Sequence, residues 1–418
     1  MDRPAPVRAA ERAAQWAAVA LGFSIPLSVA LDNVLLPIVV AGWLASGNWR
    51  GKWDAVRGND IALAALALFG LLLVGTLYGE RDPGDTSLYL SKYLDLLFIP
   101  VFAFVMREEP ARRRAIYALA AGLAVVLVLS YLLRFGVIPR SDIFAGDASY
   151  AVVFKTRQTH NLLMALGAFL FARLALAAGT RRLRLIWATL ALLAIANATL
   201  VVQGATGYLV LGALALYLGY AMRGRQGLAW AIGAGAALAI ALVLVPGPFQ
   251  QRVAQIRSEI SQWQPGIPNA SSSVGTRLEF YRLTFGIVRD RPLLGSGTGS
   301  FPKAYADATR NRAALPSRNP HNEYLLIMVQ LGLVGLVALL HLFWTNWRLA
   351  PRLASPLEHH LARGLILTMA VGCLFNSWLL DHTEGLLYAW LTGLLFGGLE
   401  SRNMGSKEQE IVKPSLRA

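Results

Sequence analysis

The sequence predicts an all-α polytopic membrane protein of about twelve transmembrane helices, and three observations predict it. Of its 418 residues 56% are apolar and only 15% charged, against roughly 25% charged in a soluble domain. Apolar runs near the roughly 20 residues that cross a bilayer recur from one end of the chain to the other. Basic residues gather in short clusters between those runs, as they do in cytoplasmic loops. This composition excludes an ordinary soluble enzyme, a disordered chain and a disulfide scaffold. Cys373 is the only cysteine, so no intrachain disulfide and no cysteine-rich metal site can form.

Apolar runs read against their breakers place spans near 13–31, 34–47, 59–79, 87–106, 115–134, 159–178, 183–202, 205–222, 228–247, 322–347, 359–379 and 384–400. The polar, basic start from Met1 to Arg12 leads into a first apolar segment that continues through Asp32-Asn33 into a second. That continuation describes a first membrane helix better than a cleaved signal peptide. The organisation is then 1–247 for spans one to nine, 248–321 for an outward loop, 322–400 for spans ten to twelve, and 401–418 for a cytoplasmic tail. The tail's composition, with Lys407, Glu408, Glu410 and Lys413, predicts disorder.

The net charge is +15. In a soluble protein it would suggest nucleic acid; here the loops account for it, and no nucleic-acid partner is expected. With both termini inside, 23 of the 39 basic residues fall on or near cytoplasmic segments, among them Arg50, Lys52, Arg57, Arg112, Arg113, Arg114, Arg181, Arg182, Arg184, Arg223 and Arg225. Six lie opposite (Arg81, Lys92, Arg134, Arg140, Lys155, Arg157) and ten lie within 248–321, which is long enough to escape the charge rule.

The 248–321 segment far exceeds the roughly 12–15 residues at which structureless loops become uncommon, so it predicts two or more helices of its own. Val253, Ile256, Ile260 and Trp263 recur at helical spacing between polar residues such as Arg252 and Glu259, describing an amphipathic helix over 249–264. A break follows at Pro265-Gly266-Ile267-Pro268 and Ser271-Ser272-Ser273. Thr276 to Asp290 reads as a second helix, ended by Pro292 and Gly295-Ser296-Gly297-Thr298-Gly299.

Chemistry concentrates on the outward side. In Arg318-Asn319-Pro320-His321-Asn322-Glu323-Tyr324 the loop meets the tenth span. Imidazole exchanges protons near neutral pH, so His321 could deprotonate a hydroxyl. The structural alternative is a histidine at a helix start, with Asn319 capping the turn. Arg277 opens the second loop helix, and guanidinium forks fit phosphate oxygens bidentately; Arg289 and Arg291 read as a solvated face. Lys155 and Arg157 precede the sixth span and could clamp phosphate, although lysine at a helix mouth ordinarily snorkels. His160 reads as structural. Glu80-Arg81-Asp82 with Asp85, and Asp381-His382 with Glu384, fall short of a divalent-ion ligand set. The glycine-rich run lacks the strand that a nucleotide loop requires.

The second loop helix from Arg277, the run Pro292-Leu293-Leu294-Gly295-Ser296-Gly297-Thr298-Gly299-Ser300-Phe301, and Pro320-His321-Asn322-Glu323-Tyr324-Leu325 followed by Leu331-Gly332-Leu333-Val334-Gly335 together resemble the bacterial O-antigen ligases, within the superfamily of lipid-linked glycan ligases and polymerases. The resemblance is one of motif over about 275–335 and of layout elsewhere. It implies a membrane-embedded, inverting, metal-independent glycosyltransferase without cofactor. Such an enzyme moves O-antigen from undecaprenyl pyrophosphate to lipid A-core at the periplasmic face of the bacterial inner membrane. His321 is then the base and Arg277 the catalytic cation, with Arg157, Lys155, Arg318 and Asn322 binding substrate. Many members of the family carry an arginine in the turn between spans seven and eight. Gln203-Gly204-Ala205-Thr206-Gly207 stands there in this chain, which shifts that task towards Arg157.

Two other functions compete. An O-antigen polymerase shares donor and architecture. A transporter or flippase of lipid-linked glycans shares composition, but it would keep ionisable groups near the bilayer midplane and show repeated halves. Here only Lys92 and Asp95 interrupt the spans notably, and no half-repeat is evident.

Overall fold

The computed structural model describes residues 4–79, 82–139, 141–244, 247–267 and 271–399, and among these it is helical without a strand. The helices are α1 (Ala5–Ser24), α2 (Val29–Ala45), α3 (Trp49–Arg57), α4 (Asp60–Gly75), α5 (Pro83–Lys92), α6 (Asp95–Val105), α7 (Glu109–Arg134), α8 (Arg157–Ala177), α9 (Arg181–Ala196), α10 (Ala205–Leu244), α11 (Pro248–Ser261), α12 (Ser273–Asp290), α13 (Phe301–Thr309), α14 (Glu323–Leu349), α15 (Pro356–Gly372) and α16 (His382–Phe396). Many starts follow from side-chain caps: Ser28, Asn59, Thr156, Thr180, Ser272, Asn322 and Ser355 each accept a backbone N–H of the first turn. The expected disordered tail falls outside the described residues, as do Glu80 and Arg81 of the acidic group, whose Asp82 caps α5.

Six stretches are long and apolar enough to cross a membrane by length and composition: Pro83–Val105, Glu109–Arg134, Arg157–Ala177, Arg181–Val201, Ala205–Ala241 and Glu323–Arg352. The pair α2 and α3, bent by 113°, makes up to seven. The twelve runs expected from hydropathy divide differently for physical reasons. Those at 205–222 and 228–247 do remain two helical arms: the chain turns back at Arg223 (φ −141°) and Gly224 (φ 58°), so that an added Cβ on Gly219 would stand 2.5 Å from the Gly227 carbonyl oxygen. The run at 359–379 stops at Gly372, and α16 has 15 residues. At 1.5 Å per residue that rises about 22 Å, short of a roughly 30 Å hydrocarbon core.

The packing pairs are α1 with α2 and α7, α6 with α16, and α4 with α14. Helix α8 sits among α9, α10, α15 and α7, and α16 buries nearly its whole length. At one end Arg112 of α7 and Glu358 of α15 form a buried ion pair at 2.8 Å, with the guanidinium also donating to the Arg107 carbonyl at 2.7 Å. Breaking such a pair would leave a buried charge uncompensated. After α9 the chain widens into a π turn, Asn197–Val201. There Asn197 donates to Ser130 at 2.8 Å and meets His160 at 2.9 Å, and Ser130 donates to the Ala151 carbonyl at 2.6 Å. His160 is thus a fastener between α7, α8 and α9.

The glycine-rich run has a structural explanation. Helix α14 is broken at Gly332, where φ is 62° and ψ −155°, a combination open almost only to glycine. The run following α12 folds into that break and supplies the missing partners. Ser296 N–H donates to the Val329 carbonyl at 2.7 Å, Gly297 N–H to the Gln330 carbonyl at 2.9 Å, and Leu333 N–H to the Pro292 carbonyl at 2.8 Å. Thr298 N–H reaches the Gly75 carbonyl of α4 at 2.9 Å, and Gly299 N–H the Gln330 side chain at 2.9 Å. Gly295, at φ 67°, lies so close that an added Cβ would stand 2.6 Å from the Gln330 carbonyl carbon. Irregular backbone is tolerated within a membrane-spanning helix only where protein satisfies it in this way.

Gly332→Ala should therefore destabilise the protein by about 2 kcal/mol or more, read as a lower thermal midpoint in detergent. Gly286→Ala is the matched control: it lies on α12 with open space around it and should stabilise by up to roughly 1 kcal/mol. An unchanged midpoint for Gly332→Ala would contradict the interlock.

Candidate active site

Helix α12 organises the site. Arg277, Phe280 and Tyr281 follow one another at i, i+3 and i+4, and so share a face. The Phe280 ring stacks on the His321 imidazole at 5.8 Å and 22°. The Tyr281 hydroxyl lies 3.1 Å from the His321 carbonyl and 2.6 Å from the Leu374 carbonyl. His321 itself occupies the left-handed region at φ 53°, one of two non-glycine residues to do so among those described. Its backbone N–H donates to Asn319 Oδ1 at 2.8 Å, and that oxygen also accepts from Ser377 at 2.7 Å. Asn319 therefore holds the His321 turn, while the helix cap proper is Asn322, whose Oδ1 accepts from Leu325 N–H at 3.0 Å.

The imidazole is oriented by a two-step relay. His321 Nδ1 lies 3.0 Å from Asn376 Oδ1, and Asn376 Nδ2 donates to Asp381 Oδ2 at 2.8 Å. A carboxylate only accepts, so Asp381 fixes which end of the amide carries the donor and leaves the oxygen facing the ring. Nδ1 must then carry the proton, and Nε2 presents the lone pair. Burial raises the Asp381 carboxyl above its ordinary value, opposed by Lys92, His321 and the Asn376 hydrogen bond.

One turn back along α12, Arg277 lines a small polar pocket with Arg157, Arg252, Ser273 and Asn161, against Gly204-Ala205-Thr206-Gly207. Helix α10 begins at Ala205, so the positive end of its dipole borders the pocket. Burial pushes the Arg277 guanidinium down, with Arg157 and Arg252 adding to that effect and Tyr281 and Glu259 opposing it; arginine nevertheless stays cationic. Arg277 donates to Ser273 at 3.1 Å, and Arg252 reaches Gln255 at 2.7 Å and Glu259 at 3.8 Å. Asn161 is only 2% exposed, and neither atom of its amide has a hydrogen-bond partner. Its side chain packs on Gly204 and Gly207. Three cations, one nearby carboxylate and an unsatisfied amide make a site suited to an anion.

The residues singled out in the sequence are distributed unevenly. Arg157 and Arg277 meet in the pocket, and His321 stands beside it across Tyr281. Lys155 does not line it: its ammonium donates to Thr383 at 3.1 Å, pushed down by burial and pulled up by Asp32 and Glu384. Arg318 is drawn away into an ion pair with Asp85, and its carbonyl accepts from Tyr89. Asn322 spends its amide on the helix cap and on the Leu374 carbonyl at 3.0 Å. No group of three or more potential metal ligands occurs among the described residues. Arg252, Asn161, Asn376 and Tyr281 were missed as site residues. Arg252 reads as the polar face of an amphipathic helix, and Asn376 lies inside an apolar run. Asn161 had one signal, its place in the polar cluster opening a span.

These features define a polytopic helical membrane protein with an oriented imidazole beside a cationic pocket. Residues 188–340 match the family model for O-antigen ligase. The matched segment holds Gly204, Arg252, Arg277, the glycine-rich run and His321. No curated protein matches the chain. Among solved structures it is similar to one described as structural coordination of polymerization and crosslinking by a peptidoglycan synthase complex, at 18% identity and a TM-score of 0.45, covering 82% of this chain and 97% of that one.

The raised Asp381 value carries a pH dependence. Folding tightens its hold on the proton, so its contribution to stability is fully present below the ordinary carboxylate range and is lost as pH rises from that range through the raised value. Asp381→Asn should leave the thermal midpoint at neutral pH unchanged or higher, with the difference from the parent shrinking as pH falls below that range. A midpoint that falls at neutral pH would contradict this balance.

Proposed function

We propose that the protein is an O-antigen ligase: a membrane-embedded glycosyltransferase that moves a glycan from undecaprenyl pyrophosphate to a hydroxyl of lipid A-core. The reaction takes place at the periplasmic face of the inner membrane. The observation that carries the reading is the convergence of Arg157, Arg252, Arg277 and Asn161 on one pocket at the start of α10, a helical turn from an imidazole with its Nε2 lone pair free. The family match over 188–340 supports the same reaction class.

The acceptor hydroxyl oxygen attacks the anomeric carbon of the donor sugar. The bond from that carbon to the diphosphate oxygen breaks, and its electron pair leaves on the diphosphate. The hydroxyl proton passes to His321 Nε2, and attack opposite the leaving group inverts the anomeric centre. Asn376, backed by Asp381, holds the ring in the tautomer able to accept. Arg277, Arg157 and Arg252, with the α10 N-terminus, stabilise charge growing on the diphosphate, and pre-placed cations at developing charge are a large catalytic contribution. Arg252 takes the place of the family's arginine in the turn between the seventh and eighth spans. Beside Tyr281 and Asn322 an apolar groove lined by Tyr324, Met328, Leu336 and Leu340 runs down α14, where a lipid tail can lie while its head group reacts. The bond energy comes from the glycosyl diphosphate, so no nucleotide is consumed.

The test is transfer by the purified protein in liposomes holding undecaprenyl-pyrophosphate glycan and lipid A-core. His321→Ala should lower the rate by about 10²- to 10⁴-fold, the usual worth of a general base, and undiminished transfer would remove His321 from that role. Product on lipid A-core identifies a ligase, whereas extension of one carrier-linked glycan by another identifies the polymerase activity that the same family match accommodates. Arg252→Gln should cut kcat/KM by roughly tenfold or more, as loss of one charge-assisted contact would. Equal rates would return the pyrophosphate to Arg157 and Arg277 alone.

A further inference from the structure

At the end of the bundle opposite His321 lies a second cationic cluster that plays no part in the transfer. Its members come from four helices: Arg173 near the end of α8, Tyr217 near the end of the first arm of α10, Trp347 near the end of α14, and His359, His360 and Arg363 near the start of α15. Tyr217 is the hub. Its hydroxyl meets His360 Nδ1 at 2.8 Å, and its ring lies 5.8 Å from Trp347 and 5.9 Å from His360. The Arg363 guanidinium sits 4.7 Å above Trp347, and His359 stacks on His360 at 4.6 Å.

Three donors in this cluster are buried without a hydrogen-bond acceptor: Arg173 Nε, Arg363 Nε and His359 Nε2. No carboxylate is available to them on these helices. Helices α8 and α10 contain neither Asp nor Glu. The one acid of α14, Glu323, lies at its other end, and the one acid of α15, Glu358, is engaged by Arg112. The side chains themselves are half-buried and Arg363 also bonds Tyr217, but each N–H buried without an acceptor carries a desolvation cost that a bound anion would offset.

We propose that this cluster is a binding site for the phosphate of an anionic phospholipid in the leaflet opposite the active site. A phosphodiester supplies acceptor oxygens for the unpaired N–H groups, and guanidinium forks suit that geometry. A lipid rather than a free anion is indicated by the surroundings. Leu176, Tyr220 and Trp344 stand three residues along α8, α10 and α14 from Arg173, Tyr217 and Trp347, and they are 48%, 50% and 60% exposed. The cluster is thus flanked by apolar side chains on membrane-length helices, where acyl chains can lie. Basic pockets between spans are a recurring way of holding anionic head groups.

The test is native mass spectrometry of the full-length protein in detergent, titrated with phosphatidylglycerol, phosphatidylcholine or inorganic phosphate. The parent should retain one phosphatidylglycerol in preference to phosphatidylcholine. Arg173→Gln with Arg363→Gln should weaken that binding about tenfold, whereas the charge-matched control Arg182→Gln with Arg225→Gln, at exposed positions, should not. Should the double variant fail to fold, Arg173→Gln alone gives the comparison, because that side chain makes no hydrogen bond or ion pair among the described residues. Equal lipid binding by parent and variant, equal loss in the control, or inorganic phosphate displacing the lipid with comparable affinity would each overturn the proposal.

Discussion

The break in α14 at Gly332 is the constraint on which the architecture around the site rests. A membrane-length helix interrupted in its N-terminal half must find partners for several backbone groups, because each one left unsatisfied in an apolar setting costs several kcal/mol. The run from Pro292 to Gly299 provides them, and in doing so it fixes where α12 ends. Helix α12 then has little freedom in how it lies against α14, and Arg277, Phe280 and Tyr281 are delivered to the His321 turn. The backbone interlock and the side-chain site are one arrangement, since the same loop closes both.

Electrostatics explains why the site needs such rigid support. Arg157, Arg252 and Arg277 share a pocket with Glu259 as a nearby carboxylate, and Arg277 is held there against the charge of its two neighbours. Cations at close quarters disperse unless packing prevents it. The anchors are Ser272 and Val274 at the start of α12, whose hydroxyl and N–H both reach Glu259 Oε2, at 3.2 and 2.7 Å. Glu259 thereby ties α11 to α12 as well as balancing charge. The imidazole beside the pocket is held differently, by hydrogen bonds of fixed polarity running through an amide to a carboxylate.

How much of this could be read in the sequence depends on the range of the interaction concerned. Helical class followed from composition, and α12 from local spacing and its serine-rich start. His321, Arg277 and Arg157 stood out because charged or titratable groups at a span boundary are conspicuous. Arg252 did not, since an arginine on an amphipathic helix is the ordinary way to build a solvated face, and only the fold sets it beside Gly204. Asn376 was hidden in an apolar run, because hydropathy averages over the nine residues from Cys373 to Asp381 that leave the helix. The glycine-rich run showed that it was special without showing why, as its partner in α14 is some 30 residues away in sequence. Lys155 and Arg318 looked equivalent to Arg157 for the same reason: sequence gives proximity to a boundary and not the direction of a side chain.

The positive φ of His321 has one more consequence. A non-glycine residue in the left-handed region pays a penalty of order 1 kcal/mol that glycine avoids, and the Asn319 and Tyr281 contacts to its backbone would serve glycine equally well. Selection for thermal robustness alone would thus drive this position towards glycine or asparagine. With His321 as the proposed base, a library of variants sorted only for expression would enrich inactive proteins here, so robustness and turnover would pull in opposite directions at a single codon.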